Sequence, residues 1–157
     1  MKAVVQVARR AGLTVEGRRL WETKKGIVVL LGISREDDEA TADRMIDKLL
    51  KLRILPDEAG RINRSVLQEG AAVCVVSNFT LYADCSSSRR PDFAWAMRYA
   101  EAEKLYGYFM KKIAEKAAEW AEGGTICPVH AGVFGGDMLL EIHNDGPLTV
   151  ILDSAEF

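Results

Sequence analysis

Apolar and polar positions along this chain form short strand-like runs almost everywhere and settle into helical spacing in only two places. Val4 to Ala8 and Leu13 to Val15 read as strands, and Glu16-Gly17 is a tight-turn pair leading into a third, Arg18 to Trp21. Gly26 to Gly32 is a continuous apolar run closed by glycine at both ends, the signature of a strand buried on both faces and therefore central. Ala42, Ile46, Leu49 and Leu50 then fall at helical spacing, predicting an amphipathic helix from Asp37 to Leu52, with Ser34 as its cap and Asp37 at the third helical position. Pro56 to Gly60 is a turn, and Ala71 to Val76 a second buried strand. The polar stretch Cys85 to Pro91 reads as a mobile loop.

A longer helix is predicted from Glu101 to Ala121, where Ala102, Leu105, Tyr106, Phe109, Ile113, Ala117 and Trp120 mark one face before Gly123-Gly124 stops it. Ile126 to Val129, Val133-Phe134, Leu139 to Asn144 and Thr149 to Asp153 are again strand-like. Two helices among many strands, without strict alternation, predict an α+β fold with a mostly antiparallel or mixed sheet.

Two segments break the pattern. Asn144-Asp145-Gly146-Pro147 is turn vocabulary between two apolar runs, so local sequence reads it as the tip of a hairpin joining Met138–Ile142 to Leu148–Leu152. Proline brings no N–H to a ladder and glycine weakens a strand, so a pair that is not a turn must have a special task. Ser77-Asn78-Phe79-Thr80-Leu81 places small polar groups where the buried run Ala71 to Val76 emerges, a favoured position for chemistry.

At 157 residues the chain suits one domain over residues 1–157, and no repeat or linker divides it. With 48% hydrophobic and 28% charged residues it reads as soluble and globular, and its longest apolar stretch, Ile27 to Leu31, is too short to cross a bilayer. Met1-Lys2 leads directly into a strand rather than a signal pattern, so a cytoplasmic location is expected. Cys74, Cys85 and Cys127 are odd in number and lack C-x-x-C spacing, against both a disulfide framework and a zinc site. A net charge of −2 argues against coating of long nucleic acid but leaves room for contact with one single-stranded end, through pairs such as Arg9-Arg10 or Arg89-Arg90.

Conventional catalytic groups are scarce. His130 and His143 are the only histidines and show no paired spacing, so structural or exposed roles suit them better than catalysis. Asp84, Asp137, Asp145 and Asp153 are scattered and suit caps, turns and surface. Gly132 to Gly136 lacks both the phosphate-loop ending and the dinucleotide spacing. Thr80 is the one hydroxyl placed for nucleophilic attack, but no base accompanies it.

Ser77–Leu81 and Asn144–Thr149, together with the opening Met1–Gln6, Thr80–Cys85, Arg89-Arg90-Pro91 and Gly132–Met138, resemble the D-aminoacyl-tRNA deacylase family from end to end. The resemblance implies a homodimeric α+β hydrolase with a barrel-like sheet that uses neither metal nor organic cofactor. Its substrate would be the ester of a D-aminoacyl-tRNA, with glycyl-tRNA also accepted, and its products the free amino acid and tRNA.

Catalysis would fall to Ser77, Asn78, Phe79 and Thr80. The turn Asn78–Thr80 would offer backbone N–H groups to the developing oxyanion, each worth on the order of 3 kcal/mol, while the 2′-OH of the terminal adenosine assists. Phe134 or Phe93 would stack on the adenine, with Met138 and Asn144 also meeting substrate. A cis Gly146-Pro147 bond, presented across the dimer interface, would aim two carbonyl oxygens at the partner's site and exclude L side chains.

The chain departs from the family pattern in three places: Asn78 where glutamine is usual, Val7 where an arginine commonly anchors the Gly-Pro loop, and Met97-Arg98-Tyr99-Ala100 where a proline pair often precedes the long helix. The alternatives are a paralogue acting on other misacylated tRNAs and a protein that binds a tRNA end without catalysis.

Overall fold

The computed structural model describes residues 1–86 and 88–157, and Ser87, part of the stretch Cys85 to Pro91 expected to be a mobile loop, lies outside the described residues. The chain folds as α+β around a mixed, barrel-like sheet. Strand β1 (Lys2–Val15) turns at Glu16-Gly17 into β2 (Arg18–Thr23), and β3 (Gly26–Gly32) follows. Glu16 and Gly17 both take positive φ, 49° and 76°, the geometry of a tight hairpin turn. The two expected strands Val4–Ala8 and Leu13–Val15 are one, because a single long partner accompanies β1 from end to end.

After β3 the chain enters helix α1 (Glu39–Lys51). Its cap is Asp38 rather than Ser34, with the Asp38 carboxylate accepting from Thr41 N–H at 2.8 Å. Asp37 is instead turned inward, accepting from Ser34 N–H at 2.6 Å and lying 2.6 Å from the Met1 amino nitrogen. A small hairpin, β4 (Leu55–Pro56) and β5 (Ile62–Arg64), surrounds the expected turn, in which Gly60 has φ 75°.

The one-turn helix α2 (Val66–Glu69) was not expected. Ser65 and Gln68 form a reciprocal capping box, and Gly70 closes the helix in the left-handed region. Strand β6 (Ala72–Ser77) ends in the 3-10 turn Phe79–Tyr82, and helix α3 (Tyr99–Trp120) packs beside α1. Strand β7 (Val129–Ala131) is all that forms of the expected Ile126–Val129 and Val133-Phe134 strands. Its pairing stops when Gly132 N–H meets Val75 O at 2.8 Å, after which Gly135 at φ 68° turns the chain.

The last strand, β8 (Met138–Asp153), corrects the hairpin expectation. Both of its halves pair antiparallel with the same edge of β1, Thr149 opposite Gln6 and Asn144 opposite Ala8, so the chain does not reverse at Gly146-Pro147. The four residues 145–148 are an excursion from one continuous strand, a large bulge that leaves the ladder and rejoins it. A 14-residue partner strand explains this, because it offers backbone groups to both halves where a hairpin would satisfy only one.

The sheet order is β2-β1-β3-β6-β7, with β8 on the other edge of β1. β3–β6 and β6–β7 are parallel and the remaining pairs antiparallel. Helices α1 and α3 cover one face, where Val5, Val29, Val73, Leu49, Phe109 and Ile113 are buried. A smaller cluster of Val28, Ala72 and Cys74 forms elsewhere with Trp21, Leu140 and Ile142 packed against it. No helix among the described residues is long and apolar enough to cross a membrane.

Candidate active site

Strands β3 and β6 run in parallel, so Leu31 and Ser77 end side by side. The chain leaves β6 through Asn78, whose N–H donates to Leu31 O at 2.7 Å. The Asn78 side chain then caps its own turn. Its Oδ1 accepts from Thr80 N–H at 3.2 Å and also from the Thr80 hydroxyl. Phe79 N–H, between them, has no hydrogen-bond partner among the described residues. The turn packs tightly over β3: a Cβ on Gly32 would lie 3.0 Å from Leu81 Cβ and 3.2 Å from Asn78 O.

Beneath the turn lies an open, mainly apolar cavity of about 500 Å³. Ser77, Asn78, Phe79, Phe134 and Met138 all line it, five of the ten residues that the resemblance assigned to the site. Ile33, Met97 and Tyr99 complete much of its wall and were not anticipated as site residues. Tyr99 meets Phe134 edge-on at 5.1 Å, and Phe134 in turn meets Tyr106 at 5.6 Å. Gly135 suits its φ of 68°, and a Cβ there would also push the Tyr99 ring aside.

Tyr106 ties this wall to the sheet. Its buried hydroxyl donates to Val75 O at 2.9 Å and accepts from Gly132 N–H at 3.1 Å, joining β6 to the chain leaving β7. Burial pushes its phenol up to about 12, so it remains a donor. Its place on the apolar face of the long helix identified it as core, but nothing in the spacing marked its hydroxyl as the link.

Thr80 stands beside the cavity rather than in its lining, exposed and with its hydroxyl committed to Asn78. Phe93 also lies outside the lining and packs edge-on against Phe79 at 4.9 Å. Neither histidine reaches the cavity. His130 stacks on Trp21 at 5.3 Å, where desolvation lowers its pKa, and His143 is exposed on β8. The Ser86 side chain and its N–H, the latter donating at 2.8 Å, hold the Asp84 carboxyl below the usual range, and Asp153 accepts from Ala155 N–H. Among the described residues no three His, Cys, Asp or Glu side chains gather to hold a metal ion.

Asn144, Gly146 and Pro147 are not part of this cavity. The Gly146-Pro147 bond is cis, and both residues are exposed at the crest of the β8 bulge. Asn144 Nδ2 holds the base of the bulge, donating to Val7 O at 2.9 Å and to Leu148 O at 3.1 Å. Arg9 Nε donates to Asp145 at 2.9 Å. Val7, buried among core residues, contributes its carbonyl alone, and the charged contact comes from Arg9, two residues on. A second β1 bulge at Arg9 makes this possible, because the register slips between Ala8 and Arg10.

A second cavity of about 510 Å³ lies on the other side of the Phe79–Tyr82 turn, lined by Leu81, Tyr82 and Trp95 among mixed charges including Lys2, Asp37 and Asp153. Its lining shares no residue with the apolar cavity and holds none of the ten residues that the resemblance assigned to the site.

The family model described as D-Tyr-tRNA(Tyr) deacylase matches residues 4–153. A protein of Clostridium tetani named D-aminoacyl-tRNA deacylase is 41% identical over 154 residues, covering 98% of this chain and 97% of the relative. One of the same name from Ruegeria pomeroyi is 44% identical over 153 residues, with 98% and 99% covered. Among solved structures, a c-Myc DNA unwinding element binding protein superposes with a TM-score of 0.85 at 36% identity, covering 98% of each chain. A probable eukaryotic D-amino acid tRNA deacylase superposes at 0.77 with 16% identity, covering 96% of this chain and 97% of the other, a likeness of fold.

Proposed function

Because the chain belongs to the D-Tyr-tRNA(Tyr) deacylase family, we propose that it hydrolyses the ester bond of D-aminoacyl-tRNA, releasing the D-amino acid and free tRNA. The observation that carries the mechanism is Phe79 N–H, the one donor of the Asn78–Thr80 turn left without a partner at the rim of an apolar cavity. The family resemblance offered three donors. In this chain Asn78 N–H is taken by Leu31 and Thr80 N–H by the Asn78 side chain, so oxyanion stabilisation falls first to Phe79. Thr80 acts as a brace of the turn rather than a nucleophile.

The acyl ester is already activated, so orientation and one or two well-aimed donors account for much of the acceleration without a side-chain base. The 2′-OH of the terminal adenosine supplies the proton-bearing group that the protein lacks. The cavity takes the acyl-adenosine end, with Phe134 against the base and Met138 beside it. Its apolar walls keep water from competing with the donor.

Handedness is assigned to Gly146-Pro147. The pair is exposed, held from below by Asn144 and Arg9, and absent from its own chain's cavity, which suits presentation to a second copy. The working unit is then a homodimer of single-domain chains, each completing the other's site. Glycine lacks the side chain that such carbonyls exclude, so glycyl esters are substrates too.

A second reading, binding without hydrolysis, is favoured only by the name of the similar DNA unwinding element binding protein. Release of D-tyrosine from D-tyrosyl-tRNA by the purified protein in EDTA separates the two. Turnover supports hydrolysis without a dissociable metal, and saturable binding with no release supports the second reading.

A further inference from the structure

The short ribbon that follows the loop after Cys85 is tied to the end of β3 by backbone bonds. Arg35 N–H donates to Trp95 O at 3.1 Å, and Met97 N–H donates to Ile33 O at 2.9 Å. Trp95 is thus held by its own carbonyl and by Met97 two residues on, and the residue is 48% exposed. The Arg35 guanidinium lies over the indole at 4.2 Å from its centroid and forms no ion pair among the described residues. Of the acidic residues nearby, Asp37 is turned into the fold and Asp38 onto the first turn of α1, while Glu36 and Asp84 share the lining of the second cavity with Trp95.

The aromatic residues Phe79, Phe93 and Trp95 lead from the apolar cavity toward its neighbour, whose lining includes Trp95. Phe79 lines the cavity and is 57% exposed, Phe93 packs on it edge-on, and Trp95 follows two residues later. Met97, two residues further, returns to the cavity wall. Exposed, rigidly held aromatic faces with an adjacent arginine are what single-stranded RNA stacks upon.

Resting on the hydrolase reading above, we propose that Trp95 and Arg35 form a stacking platform for the nucleotide preceding the terminal adenosine of the tRNA. The terminal nucleoside occupies the cavity beneath Phe79. The next base leaves over the Phe79–Phe93 pair and lies on the free face of Trp95, with Arg35 beside the connecting phosphate. The platform is a binding and positioning device; it touches no reacting atom.

The test compares the D-tyrosyl ester of adenosine with the same ester on a short RNA hairpin ending in CCA. Trp95→Ala should raise KM for the hairpin ester about tenfold, Arg35→Gln somewhat less, with kcat and the KM of the adenosine ester unchanged. A parallel readout uses CCA trinucleotide alone, which should quench tryptophan emission in the wild type and not in Trp95→Ala. Equal KM changes for both esters, no change for either, or a shift in solution mass on Trp95→Ala each overturns the platform. If the wild type cleaves neither ester, the hydrolase reading fails, and the quenching still decides: quenching retained in Trp95→Ala overturns the platform and quenching lost supports it.

Discussion

One nitrogen of Asn144 donates to Val7 O at 2.9 Å and, across the mouth of the β8 bulge, to Leu148 O at 3.1 Å. A side chain thus closes the gap where four residues of β8 leave the ladder, replacing the backbone bonds that the excursion removes. Asn144→Ala should lower unfolding free energy by about 1–2 kcal/mol, two modest hydrogen bonds. Asn144→Asp should cost more, because it turns a carboxylate toward two carbonyl oxygens. Urea midpoints in the order wild type, Ala, Asp check this, and an Asp variant as stable as the Ala variant contradicts it.

Gly146 has φ 118°, and a Cβ there would lie 2.8 Å from Leu148 N. Gly146→Ala therefore cannot keep the crest of the bulge in place, and the strain is on the order of 1–3 kcal/mol. The expected outcome is a smaller ratio of D- to L-tyrosyl-tRNA hydrolysis. An unchanged ratio separates the crest from substrate selection.

Much of this architecture was legible in the chain. The central strands Gly26–Gly32 and Ala71–Val76 and both long helices follow from unbroken apolar runs and one-sided helical faces, signals that local sequence carries by itself. The β8 bulge was not legible. Asn-Asp-Gly-Pro has the same local chemistry in a hairpin and in an excursion, and only the length of β1, a partner far away in sequence, decides between them. Asp38 displaced Ser34 as the helix cap for a related reason, since Asp37 is drawn inward to the Met1 amine. In the site, Ser77 to Phe79 were visible as polar residues at a strand end. Tyr106 was hidden, because a tyrosine on an apolar helix face looks like core whether or not its hydroxyl joins two strands, and Tyr99 was hidden because it lies ahead of that face, where only its contact with Phe134 marks it.

His130, stacked on Trp21, has its pKa lowered by desolvation. The unfolded chain therefore binds this proton at higher pH than the folded one. Stability is present in full above the unfolded value of about 6.5 and falls as pH drops below it, since the unfolded state then holds more protons. His130→Gln should flatten the dependence of the urea midpoint on pH between about 7 and 5. A variant with the wild-type slope assigns that dependence elsewhere.

The three thiols differ sharply in environment. Burial pushes Cys74 up to about 12 and Cys127 up to about 11, whereas Cys85 is exposed. A disulfide reagent at pH 8 should label one thiol rapidly in the native protein and all three in denaturant. Rapid native labelling of more than one would place β6 or the segment entering β7 in a looser environment than the fold provides.

Chiral hydrolysis is the claim on which the rest depends, and the rates of D-tyrosyl-tRNA and L-tyrosyl-tRNA deacylation by the same preparation test it most directly. On the proposal that Phe79 N–H stabilises the oxyanion and Gly146-Pro147 excludes L side chains, the D ester should be cleaved and the L ester spared. Equal rates for the two esters, or no release from the D ester, would contradict it.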